Sequence, residues 1–116
     1  MRGGDDIPLT APKLNYSGSW PDVKRVVDHI YEKYVLDVAS GEPKTQLYIF
    51  GVSLGANQLG LYLINEGKEA AKKLDGAVLY ATPWNILTGW KFFYENMFGL
   101  YTYVIGMCLN EQIRSV

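Results

Sequence analysis

The sequence predicts an α/β protein built on a parallel sheet, and three observations carry that expectation. Two short apolar, β-prone runs occur at about 47–51 and 76–82, the pattern of buried strands. Each follows a segment whose apolar residues recur at helical spacing, at about 21–34 and 54–66. Glycine and proline punctuate the joins, at Gly41, Pro43, Gly67 and Pro83. Helix, strand, helix, strand in that order, with a right-handed crossover, sets the two strands side by side in parallel.

Residues 1–18 read as loop, with Pro8, Pro12, Gly3, Gly4 and Gly18. The first helix opens at Ser19-Trp20-Pro21-Asp22. Ser19 or Trp20 supplies the cap, Pro21 suits the first helical position, and Asp22 favours the positive end of the dipole. Val23, Val26, Val27, Ile30 and Tyr34 make one apolar face, opposite Lys24, Arg25, Asp28 and Glu32. Residues 37–46 connect. The second helix carries Leu54 and Leu61 on one side and ends at Gly67, a C-cap glycine. Lys68 to Lys73 is charged and expected to face solvent. The second strand, Ala77-Val78-Leu79-Tyr80-Ala81, is apolar on both faces, as central parallel strands are, and Pro83 stops it.

From Trp84 onward aromatic residues crowd the chain, among them Trp90, Phe92, Phe93, Phe98 and Tyr101. This reads as one or two helices that leave the sheet. Residues 1–83 are therefore expected to form the central part of an α/β domain, and 84–116 the start of an aromatic-rich cap or connecting helices. Cys108 in that region is expected to be a small core residue.

Composition excludes several functions. A formal net charge of −1 on 116 residues, with mixed signs throughout, offers no basic stripe for nucleic acid. One cysteine rules out an internal disulfide. No pair of His or Cys residues stands at metal-ligand spacing, so no metal is expected. Neither phosphate-cradling glycine motif is present, and no other cofactor is implied. The N-terminus has no signal-peptide core, and Phe98–Leu109 falls short of the ~20 residues that span a bilayer. The cellular address stays open.

The motif that carries chemistry is Gly51-Val52-Ser53-Leu54-Gly55. Between a strand and a helix, Gly-x-Ser-x-Gly makes a nucleophile elbow. The turn is so sharp that its flanks tolerate almost no side chain, and Gly51 and Gly55 give the room. Ser53 then rises at the carboxyl end of the sheet, with the Leu54 amide as one oxyanion donor. Without chemistry, the same residues are a Gly/Ser turn at a β-to-α junction.

A serine hydroxyl needs a base to take its proton and a carboxylate to orient that base. His29, the lone histidine, lies on the first helix at the edge of its polar face and reads as a solvated surface residue. Asp75, the one aspartate after Ser53, precedes the second strand and so falls at the wrong end of the sheet. Glu66, Glu69, Glu95 and Glu111 lie on or beside helices as expected salt-bridge partners. A nucleophile without base or acid, and a two-stranded sheet with bare edges, together suggest a piece of a larger domain.

These residues resemble a known family. Arg2-Gly3, then Leu9-Thr10-Ala11-Pro12-Lys13-Leu14, then Asp22 to Ile30 are similar to the membrane-associated branch of the α/β-hydrolases. That branch includes monoacylglycerol lipases, medium-chain phospholipid hydrolases and yeast medium-chain ethyl ester esterases. Gly51 to Asn57 resembles its elbow, and Gly76-Ala77-Val78 through Pro83-Trp84-Asn85 its next strand and the approach to its cap. The resemblance covers most of residues 2–90. It implies a partial α/β-hydrolase fold and a serine ester hydrolase acting on lipid-like acyl esters through Ser53. It also implies that the aspartate, the histidine and a membrane anchor belong to segments beyond this chain. The alternative is a truncated or degenerate hydrolase-like module without catalysis, its sheet edges covered by a partner chain.

Overall fold

The computed structural model describes residues 15–114. The predicted loop before residue 15, with the Arg2-Gly3 and Leu9–Leu14 stretches, lies outside the described residues. Within them the chain is mixed α/β. Helix α1 (Trp20–Ile30) leads to strand β1 (Tyr48–Val52), helix α2 (Leu54–Glu66), the short helix α3 (Lys68–Ala71) and strand β2 (Gly76–Tyr80). Helices α4 (Ile86–Glu95) and α5 (Leu100–Arg114) follow. The chain divides into two compact units, Tyr16–Pro83 and the segment from Trp84 onward.

The strands pair in parallel, with Tyr48 opposite Gly76 and Val52 opposite Tyr80. Side chains alternate across the sheet. Ile49, Ala77 and Leu79 turn to one face and pack with Val27, Leu59, Tyr62 and Ala70. Tyr48, Phe50, Val52, Val78 and Tyr80 turn to the other and stay exposed. Two-sided apolar strands were expected to be covered on both faces; among the described residues one face is covered.

Helix α1 departs from its predicted face. Val27 is buried and Val23 packs on the core, but Val26 is 57 % and Tyr34 54 % exposed. For Tyr34 the cause is a wide π-helical turn, Tyr31–Val35, that extends the helix. A π turn takes more residues per revolution, and Val35, 3 % exposed, goes inward instead of Tyr34. Ser19 stands at the N-cap but does not cap. Its hydroxyl, in a buried side chain, accepts from the Tyr16 amide at 3.1 Å.

Helix α2 keeps its predicted bounds and ends at Gly67, whose amide donates to the Leu63 carbonyl at 3.0 Å. The charged stretch after it is not purely solvent-facing, because Ala70 on α3 is 1 % exposed and joins the core. Strand β2 ends at Tyr80, before Pro83 acts, because Ala81 takes φ +51° and leaves the extended region.

A charge network ties the helices of this unit together. Lys24 meets Asp28 at 3.1 Å and Glu66 at 2.8 Å, and Lys73 reaches Asp28 at 2.5 Å. Burial pushes the Asp28 carboxyl upward, but hydrogen bonds from Lys73 and Lys24 outweigh it and hold the group below its ordinary value of 3.8. A carboxyl depressed on folding adds stability above its unfolded pKa and loses that contribution as pH falls through the folded one. Asp28→Asn is expected to cost about 1 kcal/mol at neutral pH, a cost that shrinks as pH falls through the folded pKa of Asp28. Urea unfolding of both proteins across neutral and acid pH checks this.

In the second unit Asn85 caps α4, its Oδ1 accepting from the Thr88 amide at 2.9 Å. A tight 3₁₀ segment, Asn96–Gly99, joins α4 to α5, and Phe93 meets Tyr101 edge-on at 6.0 Å. Cys108 is exposed, not a core residue. Among the described residues of this unit, two helices leave too little interior to cover both sides of each.

Candidate active site

The end of β1 and the start of α2 meet at a single residue. Val52 closes the strand, Leu54 opens the helix, and Ser53 makes the corner with φ 51° and ψ −117°. This is outside the left-handed helical well that L residues occasionally visit, and a non-glycine residue there is strained. Gly67, at the other end of α2, has almost the same backbone angles, 51° and −116°. There the conformation is occupied by glycine, which bears it without strain. Serine at the first corner carries the same geometry at a cost of about 1–3 kcal/mol.

Neighbouring contacts hold the corner. The Ser53 amide donates to the Tyr80 carbonyl of β2 at 3.0 Å, and the Ser53 carbonyl accepts from the Asn57 amide at 3.0 Å. Gly51 is buried against the helix. A Cβ on it would stand 2.8 Å from Ala56 Cα and 2.9 Å from the Gly55 carbonyl oxygen. Strand and helix approach so closely that only hydrogen fits at position 51. Gly55 is not under the same demand: a Cβ there meets nothing within 4 Å among the described residues. The room comes from Gly51 and from Ala56, which is wholly buried.

Ser53 is exposed at the carboxyl end of β1. Leu54 is the first residue of α2, and a first-turn amide has no carbonyl partner inside its helix. No acidic residue occupies the first turn of α2, so the positive end of its dipole at Ser53 is not offset locally.

One turn further, Asn57 Nδ2 donates to the Pro83 carbonyl at 3.3 Å and fastens the chain leaving β2 to the elbow helix. Asn57 Oδ1 and Thr82 Oγ1 are buried without hydrogen-bond partners. Neither residue stood out in the sequence. An asparagine four residues after the serine, with Thr-Pro closing the next strand, was the available signal.

Nothing among the described residues completes a triad. His29 is exposed in the last turn of α1 and makes no hydrogen bond to Ser53. Asp75 lies at the amino end of the sheet, its Oδ2 accepting from the Leu47 amide at 2.7 Å while its own amide donates to the Leu47 carbonyl at 2.9 Å. It clamps the strand starts together. Glu66 pairs with Lys24, Glu69 with Lys72, and Glu95 with Lys91. Lys72 holds the Glu69 carboxyl below its ordinary value. Glu111 is exposed.

An open groove of about 330 Å³ lies between Leu63, Gly67, Ala70, Leu74 and Gly76. It sits at the amino end of β2, away from Ser53, and its apolar lining offers no polar side chain to orient a substrate. No metal-ligating cluster occurs among the described residues, and no helix among them is long and apolar enough to cross a membrane. No family model, no curated protein and no solved structure matches this chain.

Proposed function

We propose that Ser53 is the nucleophile of a serine carboxylic ester hydrolase of the α/β-hydrolase type, with lipid-like acyl esters as substrates. One observation carries the reading: a serine, not a glycine, occupies the strained corner between a parallel strand and the helix that follows it. Strain at a non-glycine residue persists where the surroundings enforce it, and such residues cluster at functional sites. In the proposed chemistry Ser53 Oγ attacks the ester carbonyl carbon, and the leaving alcohol departs to give an acyl-enzyme. The Leu54 amide and the N-terminus of α2 stabilise the tetrahedral oxyanion. The base that takes the Ser53 proton, and the carboxylate that orients it, must come from outside the described residues. The aromatic helices α4 and α5 carry apolar side chains of the kind that wall lipid pockets.

Added imidazole can stand in for the missing base and so tests the reading. With a fluorophosphonate probe alone, Ser53 is expected to react no faster than free serine. With imidazole in solution, adducts mapped by mass spectrometry should favour Ser53 over Ser17, Ser19, Ser40 and Ser115 by about 10². Uniform labelling of the serines would overturn the assignment, and rapid labelling without imidazole would mean that a base is already in place.

A second reading rests on a separate observation. The exposed apolar face of the sheet, and edges that are unpaired among the described residues, suit a hydrolase-like module whose role is association instead of catalysis.

A further inference from the structure

We propose that the chain pairs with a second copy of itself by stacking the exposed faces of their two sheets. The inference stands apart from the chemistry of Ser53 and uses only the unit that holds the sheet. Three rings and two valines form this face. Tyr48, Phe50 and Tyr80 are 64 %, 63 % and 64 % exposed, and Val52 and Val78 are 49 % and 55 % exposed. No charged residue occurs in either strand. The face therefore calls for an apolar partner surface, not an oppositely charged one.

The strand register makes the face complementary to itself. Across the sheet, Tyr48 stands opposite Gly76, Phe50 opposite Val78, and Val52 opposite Tyr80. Every row thus pairs one ring with one small residue. In the first row the Tyr48 ring lies close over Gly76, where an added Cβ would come within 3.0 Å of its Cδ1. That row is levelled. In the other two rows the rings of Phe50 and Tyr80 stack on the diagonal, centroids 6.5 Å apart at 24°, and leave low ground over Val78 and Val52.

A two-fold axis parallel to the strands, between two such faces, sets β1 of one copy against β2 of the other. Phe50 then descends on the second copy's Val78, and Tyr80 on its Val52, with both contacts repeated by symmetry. Such a contact is isologous, so the assembly closes at two. Face-to-face sheets with strands nearly aligned are an established packing mode.

The area is sufficient. With rings of about 150–250 Å² each, roughly two-thirds exposed, plus two half-exposed valines, a copy offers roughly 500 Å² of apolar side chain. Two copies bury about 1,000 Å², the lower bound for a specific interface. A patch of this size is also at the upper end of what a monomer leaves open.

Sedimentation equilibrium of the full chain tests the proposal with three variants. Wild type is expected to be a monomer–dimer mixture that shifts with concentration. Val78→Phe puts two rings in one row and should weaken the dimer by about tenfold. Combining it with Phe50→Val exchanges ring and valine within the row, restores ring over valine across the axis, and should return the dimer to within about threefold of wild type. Phe50→Lys, at a position already open to solvent, should give a folded monomer by circular dichroism. A wild type that stays monomeric at all concentrations would overturn the proposal. Assembly past the dimer, or dimerisation that ignores Val78→Phe, would overturn it in favour of pairing at the strand edges. Failure of a folded exchange variant to recover would overturn it as well.

Discussion

Gly51→Ala is expected to destabilise the chain by about 3 kcal/mol, the largest loss from the smallest change available. The added carbon would sit 2.8 Å from Ala56 Cα and 2.9 Å from the Gly55 carbonyl oxygen. Both are backbone atoms, so no side-chain rotation relieves the clash. Strand β1 and helix α2 must separate, and the Ser53 corner between them must open. The core that resists this is small: Val27, Val35, Ala56, Leu59, Tyr62 and Ala70 are its buried apolar side chains among the described residues. Even an ordinary domain has only ~5–15 kcal/mol of stability, so a loss of this size takes a large share of it. Gly55→Ala is the control. Nothing among the described residues lies within 4 Å of its added carbon, and alanine favours helix over glycine, so a gain of about 0.5 kcal/mol is expected. Chemical denaturation of the pair separates the two glycines of one motif.

Tyr62→Ala carries the second large effect, a loss of about 3–5 kcal/mol. Tyr62 is 1 % exposed and the largest fully buried side chain among the described residues. It belongs to the one cluster that joins α1, α2, α3 and the covered face of the sheet. With a single packed layer among the described residues, no second core there compensates for the cavity. Burial, and then the nearby carboxylates of Asp28 and Glu66, hold its hydroxyl above its ordinary pKa. The ring supplies the packing, so Tyr62→Phe should cost no more than about 1 kcal/mol. Thermal melts of both variants check the contrast.

Where periodicity met an unambiguous punctuation residue, the structure was legible. Helix α2 runs from the residue after Ser53 to the residue before Gly67, as its leucine spacing and its C-cap glycine indicate. Elsewhere tertiary geometry overrode pattern. The heptad-like spacing from Val23 to Tyr34 assumes 3.6 residues per turn, and the π turn at Tyr31–Val35 breaks that assumption. Ala81 ends β2 through a positive φ that no propensity for alanine suggests. The exposed sheet face could not be read from strands apolar on both sides, because alternation says which residues share a face, not what covers it. At the candidate site the serine and its close-packed glycine were legible from spacing. The role of Asn57 depends on a hydrogen bond across 26 residues to Pro83, a separation that local pattern cannot carry. The exposed placement of His29 and the position of Asp75 at the amino end of the sheet agree with what their sequence positions implied.

The stability of Ser53→Gly beside Ser53→Ala measures the strain held at this one residue. Glycine relieves about 1–3 kcal/mol of backbone strain at φ 51° and gives back about 0.4–1 kcal/mol through the unfolded chain. Ser53→Gly is therefore predicted to raise the unfolding free energy by about 1 kcal/mol, with Ser53→Ala within about 0.5 kcal/mol of wild type. A loss of stability for Ser53→Gly, of the size glycine causes in ordinary backbone, would contradict the strained elbow.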